Sequence, residues 1–153
     1  MIKATTLAVA ALFALTACNS ASQPGKGDVE VVNAWVRLPA VPDRPGAAYF
    51  TLRNGGPAAV LTAVQGPGVQ RIELHGSQVH DGVMHMMPLD EVPLAKGGSV
   101  DFKPGGQHAM LFGMDPQLKS GGKLPLTFSL RDGRKVEAEA GVVAVGAPSP
   151  YSD

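Results

Sequence analysis

Cysteine occurs once in this 153-residue chain, at position 18. No disulfide can form within the chain, and no site made of several thiolates is available. Basic and acidic residues balance, with 13 of each, and neither a basic run nor a glycine-rich phosphate loop is present. Nothing here calls for a nucleic-acid partner. Long apolar runs are also missing. Leu7 to Leu15 is the most hydrophobic stretch, far short of the ~20 residues that a bilayer-spanning helix needs. No long stretch keeps a 3.6-residue apolar period, which argues against a helical bundle.

What the N-terminus does contain is a targeting pattern. Lys3 supplies the positive charge, Leu7 to Leu15 the apolar segment, and Leu15-Thr16-Ala17-Cys18 closes it. That ending resembles a bacterial lipobox, in which Cys18 becomes the lipidated N-terminus of the mature protein. The reading is a lipoprotein signal peptide over 1–17 and a lipidated Ser/Gly/Gln-rich tether over 18–28. Asn19 stands where an aspartate would favour inner-membrane retention, so the expected location is the periplasm, anchored to the outer membrane.

Gly (19) and Pro (13) are abundant and punctuate short alternating or β-branched runs. Strands are expected near Val29–Leu38, Ala47–Arg53, Ala59–Gln65, Val69–Leu74, Val83–Met87, Ser99–Phe102, Ala109–Gly113, Leu124–Leu130 and Lys135–Val145. Asp132-Gly133 lies between two such runs and reads as a type I′ hairpin turn, where both central residues need positive φ. Many short strands at this spacing predict one all-β domain over 29–145, a sandwich or Greek-key barrel. Residues 146–153 read as a disordered tail. Trp35, alone on its strand, reads as core.

Histidine and methionine are unevenly spread. All four histidines (His75, His80, His85, His108) fall between 75 and 108, and every methionine after the first (Met84, Met86, Met87, Met110, Met114) falls between 84 and 114. Methionine alone is a common core filler, but filling does not explain why the two types travel together. Side chains two apart on a strand share a face. His108 and Met110 therefore project together, as do Met84 and Met86, while His85 and Met87 take the opposite face. His75 falls where its strand ends, a rim position. If these groups converge, thioethers favour Cu(I), with imidazole serving several metals. Zinc prefers Cys, His and carboxylates.

His75, ten residues, Met86, twenty-one residues and then His108-Ala109-Met110 resemble the H-x10-M-x21-H-x-M motif of the periplasmic copper chaperone family called PCuAC. Flanking stretches agree, among them Gly46-Ala47-Ala48-Tyr49-Phe50 and Pro104-Gly105-Gly106-Gln107-His108. The resemblance implies a cupredoxin-like, Ig-like β-sandwich and a Cu(I) site of His75, Met86, His108 and Met110; Met84, outside the motif, is the candidate auxiliary or alternative ligand. The resemblance places His80 and His85 outside the motif, exposed. It further implies a metallochaperone that passes copper to the copper subunit of cytochrome c oxidase, with a Sco-type thiol protein assisting.

Copper storage is the neighbouring function, and a metal-free β-sandwich interaction module the bland one. An electron-transfer blue-copper protein needs a cysteine ligand, which the folded region lacks. No Ser/His/Asp grouping or paired carboxylate suggests an enzyme. The anchoring assignment is tested directly: wild-type protein is expected to fractionate with membranes, and Cys18→Ser to abolish lipidation. Soluble wild-type protein starting at another residue would defeat it.

Overall fold

The computed structural model describes residues 28–151, so the signal-peptide segment, and the tether up to residue 27, lie outside the described residues. Ten strands follow one another: β1 (Val29–Arg37), β2 (Gly46–Asn54), β3 (Ala59–Gln65), β4 (Val69–His80), β5 (Val83–Pro88), β6 (Val92–Leu94), β7 (Ser99–Phe102), β8 (His108–Met114), β9 (Lys123–Leu130) and β10 (Lys135–Val143). They hydrogen-bond in the order β5-β4-β8-β2-β1-β10-β9-β3-β6, with β7 beside β2. The β1–β10 pair is parallel and the other strand pairs are antiparallel.

β3 and β4 lie near opposite ends of this order, yet only Gly66-Pro67-Gly68 joins them. Three residues span about 10 Å, so the sheet must curl over on itself, and its two halves face each other as a sandwich. Phe50 on β2 stacks on Phe102 of β7 (ring centroids 4.3 Å apart) and meets Phe128 of β9 edge-on at 4.8 Å. Leu52, Leu61, Leu111, Leu124 and Leu126 fill the space around them and are fully buried. Alternating burial along β9 shows the half-buried pleat that its sequence pattern predicts.

Several local outcomes differ from the sequence reading. β6 lies outside the strands expected from the sequence: it is three residues long and contains Pro93. Its place at the end of the strand order explains the tolerance, since an edge strand can forgo a ladder hydrogen bond. The Asp132-Gly133 hairpin exists, but its turn is not type I′. Of these two residues, only Gly133 has positive φ (88°). Its N–H donates to Leu130 O at 3.0 Å, while Leu130 N–H reaches Arg134 O. That is a type I turn closed by a left-handed glycine. Asp132 favours it by accepting from Arg134 N–H at 3.0 Å. The tight turn with two positive φ values is instead Asp81-Gly82 (51° and 76°), which joins β4 to β5.

Trp35 is buried, though on the face away from the main core. A bulge between Val32 and Trp35, with Asn33 at φ 54°, shifts the β1–β2 register and leaves Ala34 and Val36 pointing inward. Trp35 packs on Tyr49 at 4.4 Å under the Arg37 guanidinium. Burial pushes the Tyr49 phenol pKa up, with Arg37 opposing. Arg37 Nη2 also donates to Ala147 O, and Tyr151 Oη to Ala34 O. The stretch expected to be a disordered tail from residue 146 is therefore tied to β1 at two points.

Asn54 is the buried polar residue on which the loops converge. Its Nδ2 donates to Pro57 O (2.8 Å) and Ala95 O (3.1 Å), and its Oδ1 accepts from Gly56 N–H (3.0 Å). Asn54→Ala should lower unfolding free energy by about 2 kcal/mol, the cost of stranding buried backbone groups. Asn54→Asp should cost more, because a carboxylate cannot donate to those carbonyls. Denaturant unfolding measures both, and wild-type stability in Asn54→Asp would remove this residue's assigned role.

Candidate metal centre

Strand register decides what shares a face. β8 pairs with β4 so that Arg71 faces Phe112, Glu73 faces Met110 and His75 faces His108. β5 continues on the other side of β4, placing Pro88 opposite His75, Met86 opposite Ser77 and Met84 opposite Val79. Directly opposed residues share a face, as do residues two apart. One face therefore carries Glu73, His75, Met110, His108, Met86 and Met84. The opposite face carries Leu74, Ala109 and Leu111 into the core; Met87 lies on that same face, opposite Gly76, but is half exposed.

His75 differs from the sequence expectation. It is not at a strand end: β4 runs on to His80, so His75 sits mid-strand between two neighbours. A glycine inside a strand pattern weakens it, but the Asp81-Gly82 turn lets β5 fold back along Gly76 and Ser77 and keeps them extended. The consequence is a more buried histidine than a rim would give, with its side chain 14% exposed.

The two imidazoles lie side by side, centroids 6.0 Å apart and planes 24° from parallel. That is close enough for one ion with ~2 Å metal–nitrogen bonds to reach a nitrogen of each. Their hydrogen bonds leave specific nitrogens free. His108 Nδ1 is 3.1 Å from Gly106 O, and a carbonyl only accepts, so Nδ1 carries the proton and Nε2 keeps a lone pair. His75 Nε2 is 3.1 Å from Glu73 Oε2, which leaves Nδ1 as its donor atom. That Nδ1 is buried without a hydrogen-bond partner. A buried lone pair of this kind costs stability unless something binds it.

Glu73 is the functional candidate that the sequence reading passed over. Its other oxygen holds Arg71 Nε at 2.7 Å, and Arg71 lies over the Phe112 ring at 4.5 Å. A carboxylate fixing a histidine's ring orientation is a common support for metal-binding imidazole. Its signal was legible: Glu73 and His75 are two apart on one strand.

Soft donors complete the face. Met110 is half-buried beside Glu73, whereas Met86 and Met84 are 59% and 54% exposed on the β4–β5 arm. Among the described residues, no three His, Cys, Asp or Glu side chains form a metal-holding group. The thioethers on this face are soft donors, the kind that suits a soft ion. His80 and His85 are exposed on the arm, outside this face.

Residues 29–142 match the model of the LpqE-like family, described as "Putative lipoprotein LpqE-like". "Putative lipoprotein Lxx21020" of Leifsonia xyli is 30% identical over 142 residues, covering 87% of this chain and 84% of that protein. The solution structure of Cu(I)-bound DR1885 from Deinococcus radiodurans superposes with a TM-score of 0.56 at 26% identity, over 83% of this chain and 85% of that one. A copper-bound PCuAC domain from PmoF2 gives 0.64 at 19% identity, over 77% and 94%. The fold is thus the cupredoxin-like β-sandwich of PCuAC domains, and the chain belongs to the LpqE-like family.

Proposed function

We propose that this protein is an extracytoplasmic Cu(I) chaperone whose ligands are His75, Met86, His108 and Met110. The carrying observation is the shared face on which β4 register sets both imidazoles against two thioethers, with a buried, unpartnered Nδ1 on His75. Copper is cargo here, and the geometry suits a cargo site. Three ligands belong to the sandwich, and Met86 belongs to an arm that extends beyond it. Neutral thioethers bind Cu(I) without a charge penalty for release, so an incoming ligand can replace Met86 first. Met84, one pleat further out on the same face, extends the thioether path towards solvent.

The Leifsonia relative's lipoprotein name and the lipobox at Cys18 support lipid anchoring outside the cytoplasm. The acceptor we assign is the copper subunit of cytochrome c oxidase, with a Sco-type thiol protein assisting. A thiolate acceptor outcompetes thioethers for Cu(I), which sets the direction of transfer.

Two measurements test the ligand set. Leucine replaces methionine at similar volume, so the fold should survive each change at a cost below ~1.5 kcal/mol. Met86→Leu and Met110→Leu should each weaken Cu(I) binding at least about tenfold, roughly 1.4 kcal/mol, in competition with a Cu(I) chelator. Met87→Leu should leave binding nearly unchanged, because Met87 takes the other face. Equal losses from Met86→Leu and Met87→Leu would refute the assignment. Separately, Glu73→Ala should weaken Cu(I) about tenfold or more by freeing the His75 ring. Glu73→Gln, which can still accept from Nε2–H, should lose less. Wild-type affinity in Glu73→Ala would remove Glu73 from the site.

A further inference from the structure

The β4–β5 arm has a second face that the chaperone site does not use. Pairing between β4 and β8 stops at His75–His108, so beyond that pair β4 has only β5 beside it. The face opposite Met86 carries Gln78 and His80 from β4, and Val83, His85 and Met87 from β5. Gln78 lies directly across from His85, and His80 across from Val83. His80 and His85 are therefore diagonal neighbours, about 7 Å apart, within reach of long side chains. The Asp81-Gly82 turn follows His80 immediately, and its two positive φ values pin this register. The His80 side chain is 81% exposed, and the Asp81 carboxylate lies 3.6 Å from its Nδ1.

We propose that His80 and His85 form a second metal site, on the arm, that takes Cu(II). Two imidazoles, with a carboxylate next to one of them and water free to complete the sphere, make a nitrogen–oxygen donor set. Among divalent first-row ions, Cu(II) binds such sets most tightly. The side chains do not form a three-residue metal group as they stand, so solvent supplies the remaining ligands. Exposed rings rotate freely, and strand register, which rotamers leave unaltered, sets their reach. The pleat thereby separates two donor sets: Met84, Met86 and Met110 with the His75–His108 pair on one face, and the exposed histidine pair, with Met87 two residues from His85, on the other.

The test is Cu(II) titration of the full chain against a competing chelator, with electron paramagnetic resonance reading the bound ion. Wild type should show coupling to two imidazole nitrogens. The double variant His80→Ala with His85→Ala should lose that signal and weaken Cu(II) binding at least about tenfold, with an unchanged far-ultraviolet dichroism spectrum. The double variant His75→Ala with His108→Ala should retain it, as should Met86→Leu, which leaves both histidine pairs in place. Cu(II) binding that survives loss of His80 and His85, or that disappears with His75 and His108, overturns the proposal. Cu(I) titration of the same variants separates the two sites. A chain that fails to bind Cu(I) while keeping the arm signal would defeat the chaperone reading and leave this site standing.

Discussion

Everything at the candidate centre depends on the register of one strand. β4 is the only strand paired with both β8 and β5 among the described residues, and His75 is the residue that pairs in both directions. A slip of one residue in either pairing would send the partner strand's side chains to the opposite face. Slipping β5 would replace Met86 by Met87 beside the histidine pair. Slipping β8 would turn both His108 and Met110 towards the core and lift Ala109 out. The core therefore enforces the site: Leu74, Ala109 and Leu111 on the inner face must stay buried, and their burial holds the donors outward.

The same strand leaves the protected sheet and becomes an exposed arm. Val79, Val83, Met84, Met86 and Met87 are each at least half exposed, and β5 is an edge strand. Exposed apolar edges invite aggregation and are usually blunted. Here the residues that replace protective charges are methionines and histidines, the side chains that bind soft and borderline metals. The largely buried His75–His108 pair is held by Glu73 and Gly106 O, whereas the arm's methionines are exposed.

The sequence carried the alternation of β9, the breakers and the clustering of histidine with methionine. Strand faces followed from the period of two, so the H-x-M pair and the separation of Met86 from Met87 were legible in advance. Other features were not, because they depend on partners distant in sequence. The continuation of β4 past Gly76 needs β5 alongside it. β6 needs β3 and the Asn54 side chain, which reaches Ala95 O across forty-one residues. Trp35 reads as core from hydrophobicity alone, yet the bulge at Asn33 turns it to the outer face.

Sequence by itself thus determined the all-β class and the kinds of donor available, since composition and short-range periodicity follow from the chain alone. Tertiary structure decided which donors meet. It placed His75 opposite His108 across thirty-three positions, brought Glu73 onto His75 Nε2 and left Nδ1 buried and unpartnered. Strand pairing between distant segments is a property of the packed sheet, and only packing could set the tautomers, the burial and the facing of those two rings.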